Sequence, residues 1–143
     1  MRRMLLASCL LAGVVGAVTG VGGCATAQSG FIEGPIYPGN ITQTATLDIQ
    51  VFRDDTRIRF TNTTARSIPA CRMWVNAWFS RELPGVAVGE TVELSLFDFK
   101  DQYGDEFRAG GFFATDTPMK LVLAQLEIGD ELMGLVVVNE FDE

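Results

Sequence analysis

ATLDIQVFRDDTRIRFTN, residues 45–62, is the stretch that decides the fold class. Leu47, Ile49 and Val51 alternate with Asp48 and Gln50; then Ile58 and Phe60 alternate with Arg57, Arg59 and Thr61. Successive side chains of an extended chain point to opposite faces, so this spacing describes two strands, each with one face buried. Arg53-Asp54-Asp55 between them is a polar turn. The pair reads as a hairpin.

The same alternation continues C-terminally. Asn62 to Pro69 is a loop, CRMWVNAWF (71–79) a third strand, and Leu83-Pro84-Gly85 with Gly89 brackets a short piece before TVELSLFDF (91–99). A longer loop runs from Lys100 to Pro118. MKLVLAQLEI (119–128) and ELMGLVVVNE (131–140) then follow as nearly continuous apolar runs joined at Gly129-Asp130. Runs of that kind suit central strands covered on both sides. Six or seven strands, turn signals every eight to twelve residues and no long helical period predict an all-β domain, a single antiparallel sandwich of about seven strands.

Upstream of the hairpin the composition changes. Residues 25–42, ATAQSGFIEGPIYPGNIT, are rich in Gly, Pro, Ser and Thr without periodicity, and read as a tether that can lie in part on the domain. Before it, Met1-Arg2-Arg3 is a short cationic start, and Met4 to Val21 is an uncharged, mostly apolar run closed by Gly22, Gly23 and Cys24. That is the layout of an export signal, an N-terminal signal helix. The predicted organisation is therefore signal peptide 1–23, lipidated N-terminus and tether 24–43, and β-domain 44–143.

Val21-Gly22-Gly23-Cys24 resembles the bacterial lipobox, an aliphatic residue and two small ones before a cysteine. The resemblance implies cleavage between Gly23 and Cys24, diacylglycerol on the Cys24 thiol, and a membrane-anchored lipoprotein of the cell envelope. In a Gram-negative host, Ala25 would direct it to the outer membrane. Leu6-Ala7-Ser8-Cys9 fits the same local pattern but has no apolar run of useful length before it. Ala25-Thr26-Ala27 offers ordinary signal peptidase a cut before Gln28, which would release a secreted structural or assembly subunit instead. An uncleaved membrane helix is disfavoured by the glycines in the run and by the lack of a basic cluster after it. The β-domain resembles the immunoglobulin-like or fibronectin-like modules of exported bacterial proteins, through IRFTNTT (58–64), the Trp-bearing strand 71–79 and LPGVAVGETVELSL (83–96). It lacks the inter-sheet cysteine pair of antibody domains. This resemblance implies a binding or spacing role.

Charge and composition narrow the function classes. The chain of 143 residues carries a net charge of −7, and its first 23 residues hold two arginines and no acid, leaving nine bases against eighteen acids. Such a surface repels phosphate backbones, so no nucleic-acid partner is expected. There is no histidine, which removes the commonest general base and zinc ligand. With Cys9 in the signal and Cys24 at the anchor, Cys71 stands alone as a small buried thiol with no base to activate it. No catalytic residue, metal or cofactor is expected.

Three stretches remain as candidate sites. On an uninterrupted strand 71–79, Met73, Val75, Ala77 and Phe79 would share one face and Arg72, Trp74, Asn76 and Trp78 the other. An outward Trp74-Asn76-Trp78 platform could stack on a glycan, as in a carbohydrate-binding accessory domain, or anchor an envelope protein, unless the tether or the 100–118 loop covers the rings. Asp98, Asp101, Asp105 and Glu106 are calcium-type ligands, but at spacings unlike an EF-hand loop. Arg108-Ala109-Gly110-Gly111-Phe112-Phe113 lacks a nucleotide-binding order, and Phe112 and Phe113 are expected to plug one end of the sandwich.

Overall fold

A computed structural model describes residues 34–138. They form an all-β domain of seven strands: β1 (Gln43–Asp54), β2 (Arg57–Thr61), β3 (Cys71–Val75), β4 (Phe79–Leu83), β5 (Thr91–Ser95), β6 (Ala124–Ile128) and β7 (Glu131–Val138). One 3-10 turn, Leu96–Asp98, follows β5. The signal segment 1–23, with Gly23 and Cys24, lies outside the described residues.

The β1–β2 hairpin forms where the alternation places it, with Asp54 opposite Arg57 and Asp55 in the left-handed region at φ 48°. Aspartate tolerates that conformation better than most residues. At a second tight hairpin, Gly129 (φ 61°) turns β6 into β7, pairing Ile128 with Glu131.

The strands lie in one hydrogen-bonded sheet of order β4-β3-β6-β7-β1-β2-β5. This corrects the expectation of strictly antiparallel strands in two sheets, because β1 runs parallel to β7, pairing Gln43 with Leu132 and Phe52 with Val138. Alternation specifies which face of a strand is buried; it carries no information about the neighbour or its direction. The sheet is curled. Ile49, Val51, Ile58, Phe60 and Leu94 from one half share a single buried cluster with Met73, Val75, Leu83, Leu126 and Leu135 from the other. A flat seven-stranded sheet would hold these two sets far apart.

Three further expectations are corrected. The stretch 71–79 is a hairpin and not one strand. Asn76 and Ala77 both sit at φ 54°, and the Trp78 N–H donates to the Val75 carbonyl at 3.2 Å. Two left-handed residues match the twist of the flanking strands, but the usual glycine signal for such a turn is missing here. The strand expected over 119–128 begins only at Ala124, because Met119 donates its N–H to the Arg108 carbonyl (2.8 Å) and Leu123 accepts from the Asn76 N–H (2.9 Å). Finally, the end of the core is closed by Phe99, Phe107, Ala109 and Leu121, while Phe112 and Phe113 are 95% and 91% exposed.

Two polar residues stitch the connections to the sheet. Asn62 is wholly buried; its Nδ2 donates to the carbonyls of Arg66 (2.9 Å), Val86 and Ala87 (both 3.2 Å), and its Oδ1 accepts from the Thr64 N–H and hydroxyl. Arg53 donates to the carbonyls of Asp55 (2.8 Å), Ala109 (2.6 Å) and Met119, and its guanidinium lies 5.9 Å from the centre of the Phe107 ring. Burial lowers its proton affinity despite the nearby Asp55 carboxylate. It ties the 96–123 crossover to the β1–β2 turn.

Candidate functional site

The expected Trp74-Asn76-Trp78 platform does not exist as one face, because the chain reverses at Asn76-Ala77. Each of its three residues has a separate structural environment.

Trp74, on β3, is 1% exposed although it points away from the main core. Residues 34–42 cross this outer face. Tyr37 packs edge-on against the Trp74 ring, centroids 5.3 Å apart and planes at 86°, and its hydroxyl donates to Gln125 Oε1 at 2.9 Å. Gln125 in turn donates through Nε2 to Gln43 Oε1 at 2.8 Å, and the Trp74 indole N–H donates to Glu127 Oε2 at 2.7 Å. Gly134 leaves the space that Gln43 occupies: a Cβ there would run into the carboxamide. The tether thus covers the first ring, and the buried polar atoms beneath it are partnered, as burial requires.

Asn76 is held by the segment before β6. Its Nδ2 donates to the Lys120 carbonyl at 2.8 Å, and its Oδ1 accepts from the N–H groups of Val122 (2.9 Å) and Leu123 (3.3 Å). This amide is used internally and fixes the strained β3–β4 turn.

Trp78 is half exposed, and its indole N–H donates to Asp101 Oδ2 at 3.1 Å. Asp101 is nearly buried and also accepts, through Oδ1, the N–H groups of Tyr103 (2.8 Å) and Asp105 (2.9 Å). Burial alone would raise its pKa. The hydrogen bonds from Tyr103, Asp105, Trp78 and Gly104 outweigh burial and hold the carboxyl below its ordinary value. Both oxygens are therefore engaged by the protein. Asp98 pairs with Arg81 at 2.8 Å and Glu106 with Lys100 at 3.7 Å. Among the described residues no three His, Cys, Asp or Glu side chains gather around a common point.

Cys71 opens β3 facing the core, 7% exposed and unpaired. Burial pushes its thiol up to about 11, so at neutral pH it is protonated and shielded. This geometry does not make a nucleophile.

Sequence reasoning missed the most exposed apolar feature. Phe112 and Phe113 stand edge to face at the tip of the 96–123 crossover, ring centroids 4.9 Å apart. With Thr56, Phe97, Arg108 and Gly111 they border an open groove of about 530 Å³. The signal lay in the glycines before them. Gly110 and Gly111 adopt φ 92° and 108°, and the Ala114 N–H closes a turn on the Gly111 carbonyl at 3.0 Å. Left-handed glycines aim the following residues outward, whereas apolarity alone suggests a plug.

No family model, curated protein or solved structure matches the chain.

Proposed function

We propose that this chain is a non-catalytic, lipid-anchored cell-envelope protein whose β-domain serves as a small interaction module, exported and fixed to a membrane through Cys24. The observation that carries this reading is Val21-Gly22-Gly23-Cys24, placed directly after an uncharged apolar run and a two-arginine start. Two or more acyl chains on one residue anchor durably, where one chain binds reversibly. Nine residues, 25–33, then separate the anchor from Gly34, the first described residue, so the domain works within about 35 Å of the membrane surface.

On this reading the domain is an immunoglobulin-like or fibronectin-like sandwich opened along one seam. The halves β4-β3-β6-β7 and β1-β2-β5 would be its two leaves, meeting where the β1–β7 register shifts between Gln43 and Ala45 and again between Thr46 and Gln50. Its partner is an envelope protein or the membrane itself. The covered Trp74 argues against glycan stacking at the place expected for it.

Fractionation of cells expressing wild-type and Cys24→Ala chains tests the anchor. Wild type should sediment with membranes and resist salt extraction. The variant should accumulate unprocessed or lose its acyl-dependent partitioning into detergent. Identical processing of the two, with both in the soluble fraction, would favour the secreted alternative cut before Gln28.

A further inference from the structure

The exposed apolar side chains are gathered at one pole of the domain. β1 ends at Asp54 beside the start of β2, and β7, parallel to β1, reaches Val138 beside Phe52. The antiparallel pairings place the ends of β3 and β5 and the starts of β4 and β6 at the same pole. The connections 55–56, 76–78 and 96–123 therefore cluster there. Of the ten large apolar side chains exposed among the described residues, six lie on those connections: Trp78, Phe97, Tyr103, Phe112, Phe113 and Val122. The chain also joins the domain at this pole, where the Gly34 N–H donates to the Gln102 carbonyl at 2.8 Å and a Cβ on Gly34 would be 2.7 Å from the Asp101 oxygen.

We propose that this pole is a membrane-resting surface and that Phe112 and Phe113 enter the bilayer interface. This orientation builds on the lipid anchor at Cys24. Ten residue steps separate Cys24 from Gly34, about 33 Å fully extended and roughly 18 Å as a coil. The short link ends at the pole that carries the rings, so that pole is the one held against the lipid. The tip suits entry, since Gly110, Gly111 and Ala114 flank the two phenylalanines and the nearest charges along the chain are Arg108 and Asp116. Lys100, Arg108 and Lys120 share the pole with Asp55, Asp98, Asp101, Asp105, Glu106 and Asp116, a net acidic set that attracts no anionic headgroup. The occupant is therefore the apolar interface of a neutral lipid. Two rings alone bind reversibly; an anchor on the same molecule makes their insertion intramolecular and raises its effective concentration.

Bromolipid quenching tests this. The full chain carrying Phe112→Trp, with its N-terminal mass read first, is reconstituted into phosphatidylcholine vesicles brominated on the acyl chains. Wild type supplies the baseline of Trp74 and Trp78, and Val88→Trp reports the opposite pole, where Val88 is 55% exposed. The tryptophan at position 112 should shift to the blue and be quenched severalfold more than the one at position 88. Replacing Phe113 with Ser in the Phe112→Trp chain should weaken the quenching, by about tenfold in vesicle partitioning for a chain without acyl groups. An acylated chain whose position-112 emission is unshifted and unquenched overturns the proposal, as does an exposed tip captured by a protein partner in place of lipid. A mass without acyl groups refutes the anchor alone, and the bromolipid result still decides insertion: quenching upholds it, and none overturns it.

Discussion

Asn62 shows how much one residue can hold in a domain of short strands. Its side chain answers three carbonyls from two connections, and it is completely buried. Asn62→Ala removes the shared donor that links those carbonyls, leaving the Thr64 hydroxyl on Arg66 and the Ile68 and Glu90 N–H groups on Val86 and Ala87, and it opens a void in a site closed to water. It should cost about 2 kcal/mol in denaturant titration, and Asn62→Asp, which cannot donate, should not rescue it. Asp101 gives a pH signature. Its pKa is lowered in the folded state, so its contribution to stability is present above the ordinary aspartate value of 3.8 and is lost as pH falls through the lower folded value. Asp101→Asn should therefore flatten the stability profile below about pH 4 and leave the slope near neutrality unchanged, as read by melting at a series of pH values. Neither role could be read in advance. An asparagine in a Thr-rich loop and an aspartate in an acidic one look solvated, and only the folded chain brings N–H donors and carbonyls to them.

Among the elements, the first hairpin and the apolar character of β6 and β7 were legible because each follows from side-chain periodicity. The β3–β4 hairpin was not, since Asn76-Ala77 takes left-handed geometry without a glycine, and a nine-residue alternating run then reads as one strand. The candidate platform inherited that error: splitting the run sends Trp74 under the tether and Trp78 to Asp101. That the tether could cover a ring was foreseeable from its composition, but its register was not. Tyr37 and Gln43 find their places through cross-chain hydrogen bonds that periodicity does not encode. Tyr37→Ala should uncover Trp74, seen as a red-shifted emission newly open to acrylamide, with a loss of about 2 kcal/mol in stability. Tyr37→Phe should keep the ring contact and lose only the hydrogen bond to Gln125. An unchanged spectrum in Tyr37→Ala would mean that residues 34–42 do not seal this face.

At the scale of the whole molecule, all-β character and strand number were accessible from patterning, but the sheet order was not. The parallel β1–β7 pair joins residues nearly 90 positions apart in sequence, and its direction is set only when both halves of the sheet close on one core. The same closure sends the connections to one pole, beside the point of chain entry. On the proposed reading, an anchor at position 24, a sealed strap over Trp74 and an aromatic tip at the entry pole describe one orientation on a membrane. The anchoring in that picture depends on chemistry at a single sulfur. The direct measurement is the intact mass and N-terminal peptide mass of the protein isolated from the membranes of its own cells. The expected result is a chain beginning at Cys24 with the added mass of a diacylglyceryl group, and of a further acyl group where the host attaches one. An unmodified chain beginning at Gln28, or one retaining residues 1–23, would contradict it.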